Sequence, residues 1–358
     1  MDAIEENWVM YTPGKVSRNK SIGGRPIAKK RPGPNDVVTL TAGTGKGITS
    51  YVDATGTERL FALTGATLYL PDAQIPSTTA FTIETVSTFI SAGYSGSLGG
   101  VVASFGGYLW LMGGIQTGSD RTYYKANASD AAWTLGASGL WGAAGDDYDF
   151  GIAIVNNKMY RIGGANAPSN DAVWVTSDGV TWTLVTQTMS VGAKRRPLMA
   201  VLGSTMYMLG TGGETTNALY SSTDGNTWST ITPSGTWWGG AGAACRTNHS
   251  VLGWNGKLWV VAGSVNGTKK QDVWYSSDGG VNWTQATASA GFGTHMAMAL
   301  FAVDGYMYVV GGITGVTTAT LDSKYYSTTD GATWTLVNAT AYTTTNLDLN
   351  YTQWCSHN

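Results

Sequence analysis

The sequence predicts an all-β chain: a six-bladed β-propeller of four-stranded blades preceded by an extended N-terminal arm. Three observations predict it. A motif returns about every 50 residues, tight-turn dipeptides recur inside each copy, and the composition is rich in glycine and tryptophan but poor in charge.

Among 358 residues there are 49 glycines, 15 tryptophans and 18 tyrosines, while Asp, Glu, Lys and Arg make up only 12%. That charge share is about half of what soluble domains carry, and the aromatic and glycine content suits short strands joined by turns. The chain is long enough to bury a large core. Its net charge of −2 gives no whole-molecule attraction to nucleic acid or acidic membranes.

Taken in chain order, residues 1–46 form the arm, 47–340 the propeller and 341–358 a C-terminal closing segment. Residues 1–33 hold seven Lys/Arg against three acids, a net of +4, which leaves −6 on the remainder. The stretch "TPGKVSRNKSIGGRPIAKKRPGPND", residues 12–36, lacks apolar periodicity and is rich in Pro, Gly and basic residues. An arm of this kind is ordered only where something docks it. Arg25, Lys29, Lys30 and Arg31 are therefore the candidates for contact with a neighbouring subunit or with DNA.

The repeats begin with a weak copy, "ERLFALTG" from Glu58, then "YLWLMGG" from Tyr108, "KMYRIGG" from Lys158, "TMYMLGTGG" from Thr205, "KLWVVAG" from Lys257 and "YMYVVGG" from Tyr306. Gly106-Gly107, Asn156-Asn157, Gly203-Ser204, Asn255-Gly256 and Asp304-Gly305 precede the last five. Such residues accept positive φ, as two-residue hairpins demand, so the first two strands of each unit form a hairpin. The glycine pairs that close the second strand are expected where inner strands crowd the axis. A third strand, an Asp-Gly turn and a fourth strand opening on an aromatic residue complete the unit. Four short strands per such period are the mark of a propeller blade. The fourth-strand tryptophans Trp133, Trp182, Trp228, Trp283 and Trp334 are expected to cover the next blade's face. Either "DVVTL" near Asp36 or "NLDLNYTQW" near the C-terminus is expected to supply the strand that closes the ring.

Two repeat families are resembled at once. "CRTNHSVLGWNGKLWVVAG", Cys245 to Gly263, is similar to a kelch repeat. "SSDGGVNW", Ser276 to Trp283, resembles the Asp-box pattern S-x-D-x-G-x-x-W, and three further copies are one residue shorter. Both resemblances imply structural roles for Asp178, Trp182, Asp224, Trp228, Asp278, Trp283, Asp330 and Trp334, the aspartate fixing its own turn.

Candidate chemistry is sparse. Only His249, His295 and His357 are available, which argues against a histidine-built metal site, and no metal or cofactor is expected. Asp146, Asp147 and Asp149 form the densest carboxylate group, in "GAAGDDYDFG", and read as a solvated connector with one acid completing a turn. "AGTGKGITS" lacks the spacing of a phosphate loop. Trp141, Trp237 and Phe292 stand at similar points of three connectors and read as packing residues. Trp238 has no counterpart, which makes Trp237 and Trp238 the candidates for an exposed contact, such as stacking on a sugar. Cys245 and Cys355 cannot make a disulfide framework, and no apolar run reaches membrane-spanning length.

The arm adds another resemblance. "KRPG", Lys30 to Gly33, followed by "TSYVDATGTERLFALTGATLYLPD", Thr49 to Asp72, is similar to the start of tail nozzle and packaged-DNA stabilisation proteins of short-tailed bacteriophages. The resemblance implies a non-enzymatic virion subunit, assembled in the host cytoplasm into a homo-oligomeric ring, commonly a hexamer. Its partners would be the portal or adaptor and tail fibre or spike proteins, with genomic DNA passing through and no membrane insertion. The alternative is a carbohydrate- or receptor-binding propeller.

Overall fold

A computed structural model describes most of residues 101–339, apart from 114–120, 126–132, 141–148, 165–170, 211–218, 235–244, 304 and 315–319. Of residues 1–100 it describes the backbone of the strands alone.

Among the described residues there is no α-helix, and six sheets have four strands, each an antiparallel meander. Sheet 1 runs Gly45–Val52, Glu58–Thr64, Thr67–Tyr69 and Ile83–Glu84. Sheet 2 comprises Val101–Phe105, Tyr108–Met112, Thr122–Lys125 and Thr134–Ala137. Sheet 3 is built from Gly151–Val155, Lys158–Ile162, Val173–Thr176 and Thr183–Thr186. Met199–Leu202, Thr205–Met208, Leu219–Ser222 and Ser229–Ile231 form sheet 4. Sheet 5 takes Ser250–Trp254, Lys257–Val261, Val273–Ser276 and Thr284–Thr287. Sheet 6 takes Ala299–Val303, Tyr306–Val310, Tyr325–Thr328 and Thr335–Asn338. This is an all-β chain of propeller-like sheets.

The hairpins follow from their dipeptides. Gly106 and Gly107, Asn156 and Asn157, and Asn255 and Gly256 all have positive φ, the twist that lets a two-residue loop join right-twisted strands. The first strand of each sheet lies beside the first strand of the next, and that of sheet 6 lies beside that of sheet 1. These strands are buried along their whole length in sheets 2, 3, 5 and 6.

Apolar clusters fill the spaces between sheets 2 and 3, 3 and 4, 4 and 5, and 5 and 6. Four of the fourth-strand tryptophans belong to them, but with the opposite hand to the expectation. Trp182 packs with sheet 2, Trp228 with sheet 3, Trp283 with sheet 4 and Trp334 with sheet 5, so each covers the preceding sheet and not the next. The cause lies in the turn: each indole N–H donates to the carbonyl of the turn glycine three residues earlier, at 3.1, 3.0, 2.9 and 3.1 Å, which folds the ring back under its own turn.

The glycines that end the second strand also differ from the expectation. They do not sit where the inner strands crowd one another. A Cβ on Gly163 would lie 2.2 Å from the Lys194 carbonyl, and one on Gly210 2.8 Å from the His249 ring, both on the segment leading into the next sheet. Close approach of the inner strands falls instead at Gly253, whose Cβ would meet the Val201 carbonyl at 1.8 Å.

The two ends of the sheets differ. One carries the hairpins and the Asp-Gly turns. The other carries the longer connectors, where short extra strands pair: Arg246–Thr247, Ser264–Val265 and Thr268–Lys269 in one group, Ile313–Thr314 and Thr320–Leu321 in a second. Single bridges from Lys270 to His295 and from Met296 to Ile313 stitch sheets 5 and 6 together at this end. Both segments expected to close the ring, near Asp36 and near the C-terminus, lie outside the described residues.

Candidate functional site

The turn end is built by four aspartates in one repeated geometry. Asp178 Oδ1 accepts from the Val180 and Thr181 amides at 2.8 and 2.7 Å and from the Thr176 hydroxyl at 2.9 Å. Asp224 does the same with Asn226, Thr227 and Ser222, and Asp330 with Ala332, Thr333 and Thr328. In the longer turn, Asp278 Oδ1 accepts from the Ser276 hydroxyl and the Asn282 amide, and its Oδ2 takes the Asn282 side chain. Slight desolvation raises the carboxyls of Asp178 and Asp278, but the bonds from their turn amides and hydroxyls outweigh it and hold both below the ordinary value. For Asp224 and Asp330 the bonds from the Thr227 and Thr333 amides are themselves the largest influence, in the same direction. These carboxylates are acceptors already filled by their own turns, a poor starting point for acid or base chemistry.

The turn glycines have a second task. A Cβ on Gly179 would stand 2.1 Å from the Trp110 ring, and one on Gly331 2.1 Å from the Trp259 ring. Gly225 lies on Tyr160 in the same way, at 3.0 Å. Each turn therefore sits on the second-strand aromatic residue of the preceding sheet. Trp110 and Trp259 are held for that contact by indole bonds to the Phe105 and Trp254 carbonyls, both 3.0 Å.

The connector end gathers the buried charged groups. Arg246 is 4% exposed and binds Asp272 through both guanidinium nitrogens, at 2.8 and 2.7 Å, and the Ala262 carbonyl at 2.6 Å. Burial pushes the Asp272 carboxyl up, but the Arg246 bonds and charge, with the Trp274 indole, outweigh it and leave it lowered. His295 sits between the Gly293 carbonyl and Asp322, whose Oδ2 is 2.9 Å from Nε2. Asp322 is likewise raised by burial but lowered overall, chiefly by its bond to His295. Asp149, its side chain 1% exposed, takes the Nε of both Arg195 and Arg196 on one oxygen, at 3.0 and 2.8 Å. Lys194 reaches the Tyr220 hydroxyl and lies over its ring. His249 Nε2 is 2.6 Å from the Leu209 carbonyl, and complete burial drops its pKa to about 3, so it is neutral.

These groups share a repeat offset. Lys194, Arg246 and His295 stand at one position of successive copies, and so do Asp149, Arg196, Asn248 and Ala297, all with φ between 51° and 59°. In this second series the Arg196 amide donates to the Asp149 carbonyl and the Ala297 amide to the Asn248 carbonyl, at 2.7 and 2.8 Å. The bonds cross from one sheet to the next. What the arrangement does chemically is fasten sheet ends. No group of three or more His, Cys, Asp or Glu among the described residues could hold a metal ion.

Other sequence-predicted residues are placed as follows. Arg25 lies in the short strand Arg25–Pro26, paired with Asn19–Ile22. Phe292 is buried against Trp334 at 5.2 Å between ring centres, a packing residue. Lys29, Lys30, Arg31, Trp141, Asp146, Asp147, Trp237, Trp238, His357 and Cys355 lie outside the described residues, and Cys245 is buried. Compared with known proteins, the chain matches no family model and no curated protein.

Proposed function

We propose that the chain is a non-enzymatic structural subunit of a tailed-bacteriophage virion, a closed six-bladed propeller of kelch and Asp-box type that assembles as a ring in the tail nozzle. The observation that carries this reading is what the buried polar groups do. The Arg246–Asp272, His295–Asp322 and Asp149–Arg195/Arg196 contacts pin sheet ends and connectors, which suits a scaffold and leaves these groups no catalytic duty. Closure is supported by the two faces that sheets 2 and 6 turn away from the other clusters. Leu109 and Leu111 on one, and Phe301 and Tyr308 on the other, are at most 1% exposed, and sheet 1 lies against the first strands of both.

The burial of the first strands in sheets 2, 3, 5 and 6 supports a DNA path outside the propeller. Side chains lining a lumen wide enough for a duplex would be wet, so the conduit runs between copies and not through a propeller. The basic arm, with Arg25, Lys29, Lys30 and Arg31, docks on a neighbouring subunit or on the portal adaptor, as the "KRPG" resemblance implies; tail fibre or spike proteins and transient genomic DNA complete the partners. Sedimentation of the purified protein and mass spectrometry of virions test it. A ring-sized oligomer and presence in particles are expected; a monomer at high concentration that is missing from virions overturns the reading.

A second reading, a carbohydrate- or receptor-binding propeller, is favoured by one observation: the long connectors collect at one end while the other is closed by short turns. A glycan array with Trp238→Ala as control separates the two, since specific binding lost in that variant supports the second.

A further inference from the structure

We propose that Asn266 is a site of spontaneous covalent modification, its side-chain amide cyclising onto the backbone nitrogen of Gly267 and water reopening the ring to aspartate and isoaspartate. The new bond joins Gly267 N to Asn266 Cγ. The Cγ–Nδ2 bond breaks, and the nitrogen leaves as ammonia with the proton that the glycine amide gives up. Water then adds to either imide carbonyl: opening at Cγ yields aspartate, and opening at the backbone carbonyl routes the chain through the side chain as isoaspartate. Asparagine followed by glycine is prone to this because no Cβ shields the attacking nitrogen.

The fold separates this site from four of the chain's other Asx-Gly pairs. In Asp178-Gly179, Asp224-Gly225 and Asp330-Gly331 the glycine amide donates to the turn hydroxyl at 2.8, 2.8 and 2.9 Å, and the glycine is buried against a ring of the preceding sheet. Neither nitrogen nor carboxyl is at liberty to approach the other. Asn255-Gly256 is exposed, but it caps a ladder of five residue pairs, and the Trp259 indole bond to the Trp254 carbonyl clamps the hairpin next to the turn. Asn266-Gly267 is also exposed, caps only two pairs, Ser264 with Lys269 and Val265 with Thr268, and a Cβ on Gly267 would meet nothing within 4 Å.

Both asparagines have the same left-handed backbone, φ 49°, so local conformation does not distinguish them. Cyclisation requires the turn to leave that conformation, and the frequency of opening is set by how much paired structure must open with it. The Asn266 hairpin, two rungs extended by the Lys270 amide on the Gly263 carbonyl and flanked by the two-residue strand Arg246–Thr247, is shorter than the five-rung ladder behind Asn255 and opens more often. The product places a new carboxylate, and in isoaspartate an extra backbone carbon, in the hairpin that pairs with Arg246–Thr247.

The test incubates the full chain, native and in concentrated urea, in mildly alkaline buffer, and follows both sites by peptide mapping and enzymatic isoaspartate labelling. Native protein is expected to convert Asn266 several-fold faster than Asn255, while in urea the two rates converge. Asn266→Gln removes the acidic species that accumulates on ion exchange, and Asn255→Gln leaves it. Native conversion at Asn255 as fast as at Asn266, survival of the acidic species in Asn266→Gln, or an Asn266 that stays intact natively while reacting in urea overturns the proposal.

Discussion

At the scale of single residues, the histidines show how burial decides chemistry. His249 has a pKa of about 3 because desolvation disfavours its charged form, while the unfolded chain takes a proton near the ordinary histidine value of 6.5. Between those values the unfolded state binds the extra proton, so stability falls as pH falls, by about 1.4 kcal/mol per pH unit for one proton. His249→Gln keeps a donor for the Leu209 carbonyl without titrating. Its unfolding free energy, measured by urea titration, is expected to vary less steeply with pH than the wild type's between pH 6 and pH 4. Equal slopes would mean that His249 is not the neutral buried group described. The left-handed series supplies a second prediction. Aspartate and asparagine stand at φ 59° and 52° in two copies, but Ala297 holds φ 56°, where an alanine Cβ crowds its own carbonyl. Ala297→Asn is expected to stabilise by about 0.5 kcal/mol, read as a raised denaturation midpoint. A lowered midpoint would refute the strain. Neither feature was legible in the sequence, because the strand pattern says nothing of the segment ahead of the first strand. For the left-handed series a signal was nonetheless present, since alignment by the repeat offset brings Asp149, Arg196, Asn248 and Ala297 into one column.

At the scale of elements, the hairpin dipeptides, the Asp-Gly turns and the strand-opening tryptophans were readable because each is a local constraint: φ sign, side-chain acceptor and period. What was not readable was direction. Nothing in "TSDGVTW" says which neighbour its tryptophan covers; the Trp182 bond to the Gly179 carbonyl turns the ring towards sheet 2. The same contact explains why the turn residue is glycine beyond its backbone. Gly331 and Gly305 have matching φ of 77° and 78°, yet a Cβ at 331 would stand 2.1 Å from Trp259 and one at 305 would meet nothing within 4 Å. Gly305→Ala is therefore expected to cost only the left-handed penalty, about 1 kcal/mol. Gly331→Ala adds a clash with a ring 2% exposed and should cost about 2 kcal/mol more, a magnitude typical of overpacking. Equal losses in thermal unfolding would show that the turn does not seat on the preceding sheet. Copies also diverge in ways that pattern hides. Sheet 5 gives its third-strand Trp274 the Asp272 carboxylate, whereas sheet 3 has Ala172 at that place, and the Trp174 indole finds no hydrogen-bond partner among the described residues.

For the whole molecule, the repeat makes sheet number visible in the sequence but leaves closure to be argued from burial. An open row of sheets has two end faces in contact with water, and its stability is close to a sum over neighbouring pairs. A closed ring has none, so loss of one sheet uncovers two faces at once. Residues 45–84 supply the sheet that lies against the first strands of both sheet 2 and sheet 6. Deleting residues 1–84 would bare Leu109 and Leu111 on one side and Phe301, Tyr308 and Tyr325 on the other, all now at most 4% exposed. At roughly 1.5 to 3 kcal/mol for each large side chain returned to water, that loss rivals the entire stability of an ordinary domain. The truncated chain is therefore expected to bind a hydrophobic dye and to lose its cooperative thermal transition, whereas deletion of residues 1–35, which removes the basic part of the arm and no strand of sheet 1, leaves the transition in place. If the shorter chain of residues 85–358 unfolds as sharply as the intact protein and binds no dye, sheet 1 does not close a ring. The arm deletion carries its own consequence for assembly: with the propeller intact but Arg25, Lys29, Lys30 and Arg31 gone, an oligomer held by the arm falls to monomers at unchanged melting temperature, and one held by blade surfaces does not.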